Sequence, residues 1–240
     1  MMNVLSQVLS IVVAILSIVS SGWCQDEPRA IGIFEDHYDI DVDDPPSPGE
    51  MTYNEQEGSY TIVGGGRESF PSDRHGGHFA FKEMNGDFRI ELFMRHSRGS
   101  GSDDGFSLFS IYDKTITTTT DESVPWIGFW ATPTDVGWSC RSKANGGQYN
   151  APYGTWVPHH RHSNVFEIQR EGNTFTLFYY DTGGDLVTFG QRTLEISDPV
   201  YFVIACTSQE VDGYSTGYFS DIQIEPSQVP SAVTSWDVYK

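Results

Sequence analysis

Between Asn164 and Gly184 the chain reads Asn-Val-Phe-Glu-Ile-Gln-Arg-Glu-Gly-Asn-Thr-Phe-Thr-Leu-Phe-Tyr-Tyr-Asp-Thr-Gly-Gly. Phe166 and Ile168 alternate with Glu167 and Gln169. Past Gly172-Asn173, Phe175, Leu177 and Tyr179 alternate with Thr174, Thr176 and Phe178. Successive side chains of a strand point to opposite faces, so a period of two gives one apolar and one polar face. Gly and Asn tolerate the positive φ of a tight turn, so the segment predicts a β-hairpin with a two-residue loop.

Similar runs recur along the chain at Ser59–Val63, His78–Glu83, Phe88–His96, Phe106–Tyr112, Trp126–Ala131, Gly137–Arg141, Leu186–Phe189, Arg192–Ile196, Val200–Thr207 and Tyr218–Ile224. In Phe88–His96 the faces separate cleanly, with Phe88, Ile90, Leu92 and Met94 on one and Arg89, Glu91, Phe93 and Arg95 on the other. Short Gly-, Ser-, Asp- and Asn-rich breaks divide the runs, and no segment after the N-terminus carries helical periodicity. The expected class is all-β, a two-sheet antiparallel β-sandwich.

Residues Val4 to Val19 are apolar apart from Ser and Gln, then small residues lead to the polar Gln25-Asp26-Glu27. The run is too short for a comfortable membrane span and reads as a signal peptide over residues 1–24, with an uncleaved anchor as the alternative. Residues 25–225 form one sandwich domain and 226–240 a polar C-terminal tail. The mature chain is then secreted, with no membrane span. The formal charge of −19 disfavours nucleic acid and anionic lipid as partners. Cys140 and Cys206 remain after cleavage; a disulfide between them and a free core thiol both fit an oxidising compartment.

Several segments resemble, in order, a secreted jelly-roll family. They are Gly58-Ser-Tyr-Thr-Ile-Val-Gly-Gly-Gly66, Gly76-Gly-His-Phe-Ala-Phe with Asn85-Gly-Asp-Phe-Arg-Ile, Arg170-Glu-Gly-Asn-Thr-Phe-Thr-Leu-Phe-Tyr-Tyr, Asp198-Pro-Val-Tyr-Phe-Val-Ile-Ala-Cys-Thr-Ser and Tyr218-Phe-Ser-Asp-Ile-Gln-Ile; Tyr38-Asp-Ile-Asp41 stands at the opening strand. The ordered set is similar to the concanavalin A-like lectin/glucanase superfamily, and within it to laminin-G-like modules of the "regulation of enolase" type. That resemblance implies a jelly roll, with carbohydrate binding as the commonest role. Asp181-Thr-Gly-Gly-Asp185 departs from the family's Ser-x-Asp-Gly followed by Trp.

Flat aromatics stack on sugar rings, which makes Trp126, Trp130, Trp138, Tyr153 and Trp156 the candidate carbohydrate-binding residues and a polysaccharide or glycan the expected partner. On one strand Trp126 and Trp130 lie opposite Ile127 and Phe129, so one set faces away from the core unless both sides are covered. The alternating Asp39, Asp41 and Asp43 offer hard oxygen ligands for Ca²⁺, as does the Ser102-Asp-Asp-Gly105 loop; a solvated acidic edge is the other reading. His159, His160 and His162 hold nitrogen ligands but lack an evident third partner for a catalytic zinc. Glycan hydrolysis needs two carboxylates, and Asp39, Asp41, Asp43 and Glu167 are the candidates, although no Glu-x-Asp-x-x-Glu run is present. A non-catalytic, lectin-like module is the leading expectation. A jelly-roll glycoside hydrolase and an extracellular adhesion protein are the alternatives.

Overall fold

The alternating segments pair into two antiparallel sheets in a computed structural model that describes residues 29–40, 48–66, 76–98, 105–117, 124–143, 146–150, 157–208 and 213–226. The strands are β1 (Asp36–Ile40), β2 (Glu50–Asn54), β3 (Ser59–Gly64), β4 (Gly77–Met84), β5 (Phe88–Arg98), β6 (Phe106–Asp113), β7 (Trp126–Ala131), β8 (Asp135–Lys143), β9 (Gly146–Asn150), β10 (Val157–Pro158), β11 (His162–Glu171), β12 (Thr174–Asp181), β13 (Leu186–Thr193), β14 (Val200–Thr207) and β15 (Ser215–Pro226). One sheet runs β1-β4-β14-β6-β7-β8-β10, with β9 added against β8, and the other runs β13-β12-β11-β5-β15-β3-β2. This is the two-sheet, jelly-roll sandwich that the alternation and the resemblance imply.

The two sheets differ in how their faces are covered. In β6, β7 and β14 almost every residue is buried. Continuous apolar strands of this kind arise where both faces of a sheet are covered. Phe109, Ile111, Ile127, Phe129, Phe202 and Ile204 face the core between the sheets. Leu108, Tyr112, Trp126, Trp130, Val203 and Ala205 form a second apolar cluster on the far face. In the other sheet β3 and β5 keep their alternation, and only the face with Ile62, Phe88, Ile90, Leu92 and Met94 is buried. Its opposite face is open.

The predicted hairpin forms, with Glu171 opposite Thr174 and Ile168 opposite Leu177. Gly172 alone takes the positive φ, at 58°, so the glycine and not Asn173 makes the tight turn. Phe166, Ile168, Phe175 and Leu177 are fully buried, each contributing about 1.5–3 kcal/mol of transfer free energy. Beneath the turn, the buried Arg170 guanidinium donates to Asp198 at 2.5 Å and to the carbonyls of Gly172, Gly86 and Ile196.

Cys140 and Cys206 do not form a disulfide; both are buried thiols. Cys140 lies opposite Ile127, Ile127 opposite Ile111, and Ile111 opposite Phe202, four residues short of Cys206. Three strand spacings and four residues of rise separate the two by ~20 Å, against the ~7 Å limit for a bridge. Among the described residues no helix is long and apolar enough to cross a membrane. The proposed signal, Asp41, Asp43, Asp103, Asp104, Tyr153, Trp156 and the tail beyond Pro226 lie outside the described residues.

Candidate functional site

The open face of the second sheet gathers the polar residues that alternate with its core. Core pairing of Ile90 with Ile168 and of Leu92 with Phe166 sets the β5–β11 register, which puts Glu91 directly opposite Glu167. On the outer side of β5, Gln223 of β15 also pairs with Glu91, and Phe178 of β12 lies beyond Glu167. The row therefore runs Phe178, Glu167, Glu91, Gln223 across four strands.

Like charges directly opposite each other on a sheet repel. Arg89, two residues back on β5, resolves the conflict. Its Nη2 donates to Glu91 at 2.6 Å and to Glu167 at 2.8 Å, and its Nη1 to Glu225 at 3.4 Å. Glu167 is 3% exposed and Glu91 18%. Both carboxylates bond the same nitrogen, so their bonded oxygens lie within about 5.4 Å of each other, close enough for the pairing that glycan-cleaving acids use. The Tyr180 hydroxyl donates to Glu91 at 2.9 Å. Burial first, then its bond to Glu91 and the charges of Glu91 and Glu167, raise the Tyr180 pKa above its ordinary value.

Two irregularities bracket this row. In β15, Ser220 pairs with Phe93 and Gln223 with Glu91, leaving Asp221 and Ile222 opposite the single Leu92; Asp221 has φ 55°. In β11 the register with β12 slips between His162 and Phe166, where Asn164 has φ 64°. Both non-glycine positive-φ residues thus sit in bulges beside the Leu92–Phe93 stretch of β5. Bulges increase local twist and are over-represented beside active sites. Phe93, Phe178, Tyr180 and Tyr218 stand partly exposed on this face and supply the flat surfaces that a sugar ring requires.

The tryptophans expected to do so are elsewhere. Trp126 and Trp130 are buried in the apolar cluster on the far face of the other sheet. Trp126 stacks on Tyr112, and the Trp130 ring covers Gly137, its cross-strand partner, where a Cβ would clash. Trp138 lies between the sheets against Gly190, with the Arg192 guanidinium 5.0 Å from its ring centroid. Both sides of β7 are covered, so Trp126 and Trp130 fill a core, and Trp138 on β8 packs in the cluster between the sheets. Tyr153 and Trp156 lie outside the described residues.

Asp39 is already engaged. Its carboxylate accepts from His78 Nδ1 at 2.8 Å and from the Gly49 amide at 3.0 Å, and His78 Nε2 meets His37 Nδ1 at 2.9 Å. No group of three metal-ligating side chains occurs among the described residues. His162 is buried, and its Nδ1 accepts from the Asn164 amide. Burial, with the charge of His159 next, pushes its pKa down to about 4. His160 is exposed, so the three histidines do not converge. Glu171 is also exposed and bonds only its neighbour Gln169.

Of the two described carboxylates considered for catalysis, Asp39 and Glu167, only Glu167 lies on the open face. Its partner Glu91 was missed because it is 76 residues away in sequence and is brought opposite by register. The Arg89-Glu91-Phe93-Arg95 polar face was the available signal.

No family model matches the chain, and no curated protein matches it. Among solved structures, a functionally unknown protein from Saccharomyces cerevisiae superposes with TM-score 0.47 at 15% identity, covering 74% of this chain and 96% of that one. An alginate lyase from Klebsiella pneumoniae gives 0.48 at 10% identity, covering 74% and 84%. A prokaryotic β-1,3-1,4-glucanase (lichenase) derived from a mouse hindgut metagenome gives 0.42 at 11% identity, covering 79% and 99%. Likeness at this level assigns no activity to the chain.

Proposed function

We propose that the open face of the β13-β12-β11-β5-β15-β3-β2 sheet binds a polysaccharide and that Glu91 and Glu167 hydrolyse a glycosidic bond within it. The observation that carries this reading is the direct apposition of the two carboxylates on one Arg89 nitrogen, which keeps their bonded oxygens within about 5.4 Å of each other, compatible with a retaining mechanism. Glu167, the more enclosed and held by Arg89, is the nucleophile: its oxygen bonds the anomeric carbon as the glycosidic C–O bond breaks. Glu91, the more exposed, exchanges protons with solvent and gives one to the leaving oxygen. It then takes a proton from the water that releases the sugar from Glu167. Tyr180 orients Glu91 through its hydroxyl. The Val4–Val19 segment and the acidic composition fit an exported protein acting on an extracellular glycan.

The test is turnover of a polysaccharide panel, including β-glucans, by the wild type and by Glu167→Gln. Glu167→Gln is expected to lower kcat by about 10²–10⁴ while leaving substrate binding in place. Azide added to Glu167→Ala should restore cleavage and give a glycosyl azide of inverted configuration. Glycan binding with no turnover by the wild type overturns the catalytic assignment. It would leave a lectin-like module, the reading that the partly exposed Phe93, Phe178, Tyr180 and Tyr218 also favour.

A further inference from the structure

Further along the same face, past Phe93, lies a hollow of about 280 Å³ lined by Phe93, Arg95, Tyr218, Ser59, Thr61 and Glu57 among others. At ~30 Å³ per water its volume equals about nine waters, the room of one sugar ring with its substituents. Phe93 is two residues from Glu91 along β5, about 7 Å, so the hollow is a neighbouring subsite and separate from the carboxylate pair.

Its chemistry is set by Arg95. This guanidinium is exposed and lies over the Tyr218 ring, whose centroid is 5.0 Å away, and no carboxylate among the described residues ion-pairs with it. Lys82, Arg89 and Arg170, by contrast, each have a carboxylate partner. Across the hollow Glu57 accepts from the Ser59 hydroxyl at 3.3 Å. One wall thus offers fixed positive donors, and the other offers an acceptor for hydroxyls. A guanidinium fork matches a carboxylate or sulfate in a bidentate fashion, and stacking on Tyr218 holds its plane.

We propose that this hollow selects a sugar residue bearing an anionic substituent, with the anion on Arg95, the ring against Phe93 and Tyr218, and ring hydroxyls on Glu57 and Ser59. The formal charge of −19 restricts the ligand further. A polyanion is repelled by the molecule as a whole, whereas an isolated acidic residue on a neutral backbone meets the local Arg95 within the ~8 Å screening length of physiological salt. The substrate class is therefore a largely neutral glycan carrying scattered acidic sugars. This deepens the glycan-cleaving assignment of the same face and rests on it.

The experiment measures binding of the full chain, carrying Glu167→Gln to prevent turnover, to an array of matched oligosaccharides. Each neutral backbone is presented plain, with one glucuronate, with one sulfate, and beside a polyuronate of equal length. At least one backbone should bind tenfold or more tightly when it carries the single acid, and more tightly than the polyuronate. Arg95→Gln should erase that preference, and Arg95→Lys should restore part of it. The ratio of the glucuronate to the sulfate arm reads which anion is taken. Equal binding of the acidic and plain members of every pair, an acid preference that survives Arg95→Gln, or tighter binding of the polyuronate overturns the proposal. Loss of turnover in Glu167→Gln alongside such a result sinks the subsite alone. Acid-dependent binding without wild-type turnover sinks the catalytic assignment alone.

Discussion

Removing the cation between Glu91 and Glu167 should expose the repulsion built into the open face. In Arg89→Met the two carboxylates remain opposite each other, with Glu167 only 3% exposed. At about 5 Å and an effective dielectric of ~20 their repulsion is about 3 kcal/mol. Losing one partner of a buried ion pair costs about 3–5 kcal/mol. Arg89 is 30% exposed, which favours the lower end. Protonation of one glutamate sets a ceiling. From an ordinary pKa of about 4.3, that step costs about 3.7 kcal/mol at pH 7 and about 1 kcal/mol at pH 5. The expected loss is thus about 2–4 kcal/mol at pH 7, shrinking to about 1 kcal/mol at pH 5. The sign follows from the protonated form: the variant gains stability relative to wild type as pH falls. Urea unfolding of both proteins at the two pH values measures it, with Arg89→Met/Glu167→Gln as the companion that should recover most of the loss at pH 7. A loss below about 1 kcal/mol at pH 7, or one that does not shrink at pH 5, refutes the apposition.

Burial pushes the thiols of Cys140 and Cys206 up to about 11 and about 12, so neither should react with an aromatic disulfide reagent until the protein is unfolded, and neither should be found in a disulfide by mass spectrometry. His162, held neutral with a pKa of about 4 against 6.5 unfolded, contributes stability that is complete above pH 6.5 and is lost as pH falls towards 4. The amount is up to about 3 kcal/mol, and His162→Gln should flatten that part of the stability–pH curve. Trp130→Ala should cost about 3–5 kcal/mol in chemical denaturation, with glycan affinity of the folded fraction unchanged, because the ring fills a cluster and covers Gly137.

The fold was legible wherever one face of a strand meets water. The alternation in β5, β11 and β12 and the Gly172 turn gave both the elements and their pairing. It was less legible in β7, where Trp126 and Trp130 alternate with Ile127 and Phe129 and every position is apolar. A run of that kind does not say which side is covered, and here both are. The aromatic density of the region suggested sugar stacking; two apolar clusters use it instead. Cys206 read as a buried strand position, but nothing local records the three strand spacings that part it from Cys140. The site followed the same division. Glu167 was accessible as a polar residue in an apolar frame, and Glu91 as part of a polar face, but their apposition depends on strand order, which sequence spacing does not encode.

Core packing is what enforces that apposition. The pairs Ile90–Ile168 and Leu92–Phe166 flank Glu91–Glu167 on β5 and β11, and all four apolar residues are fully buried. A slip of β11 by one residue would turn Phe166 and Ile168 to water and Glu167 inward, so the register is specified strongly by burial. At about 1.5–3 kcal/mol per apolar side chain, the two of β11 contribute about 3–6 kcal/mol, enough to offset the ~3 kcal/mol of carboxylate repulsion even before Arg89 is counted. Beyond Leu92 the bulges at Asn164 and Asp221 re-aim the neighbouring strands beside Phe93, where the Arg95 hollow begins. The sheet thus holds an arrangement of charge that its open face would not adopt by itself, and the hydrophobic face provides the force that holds it.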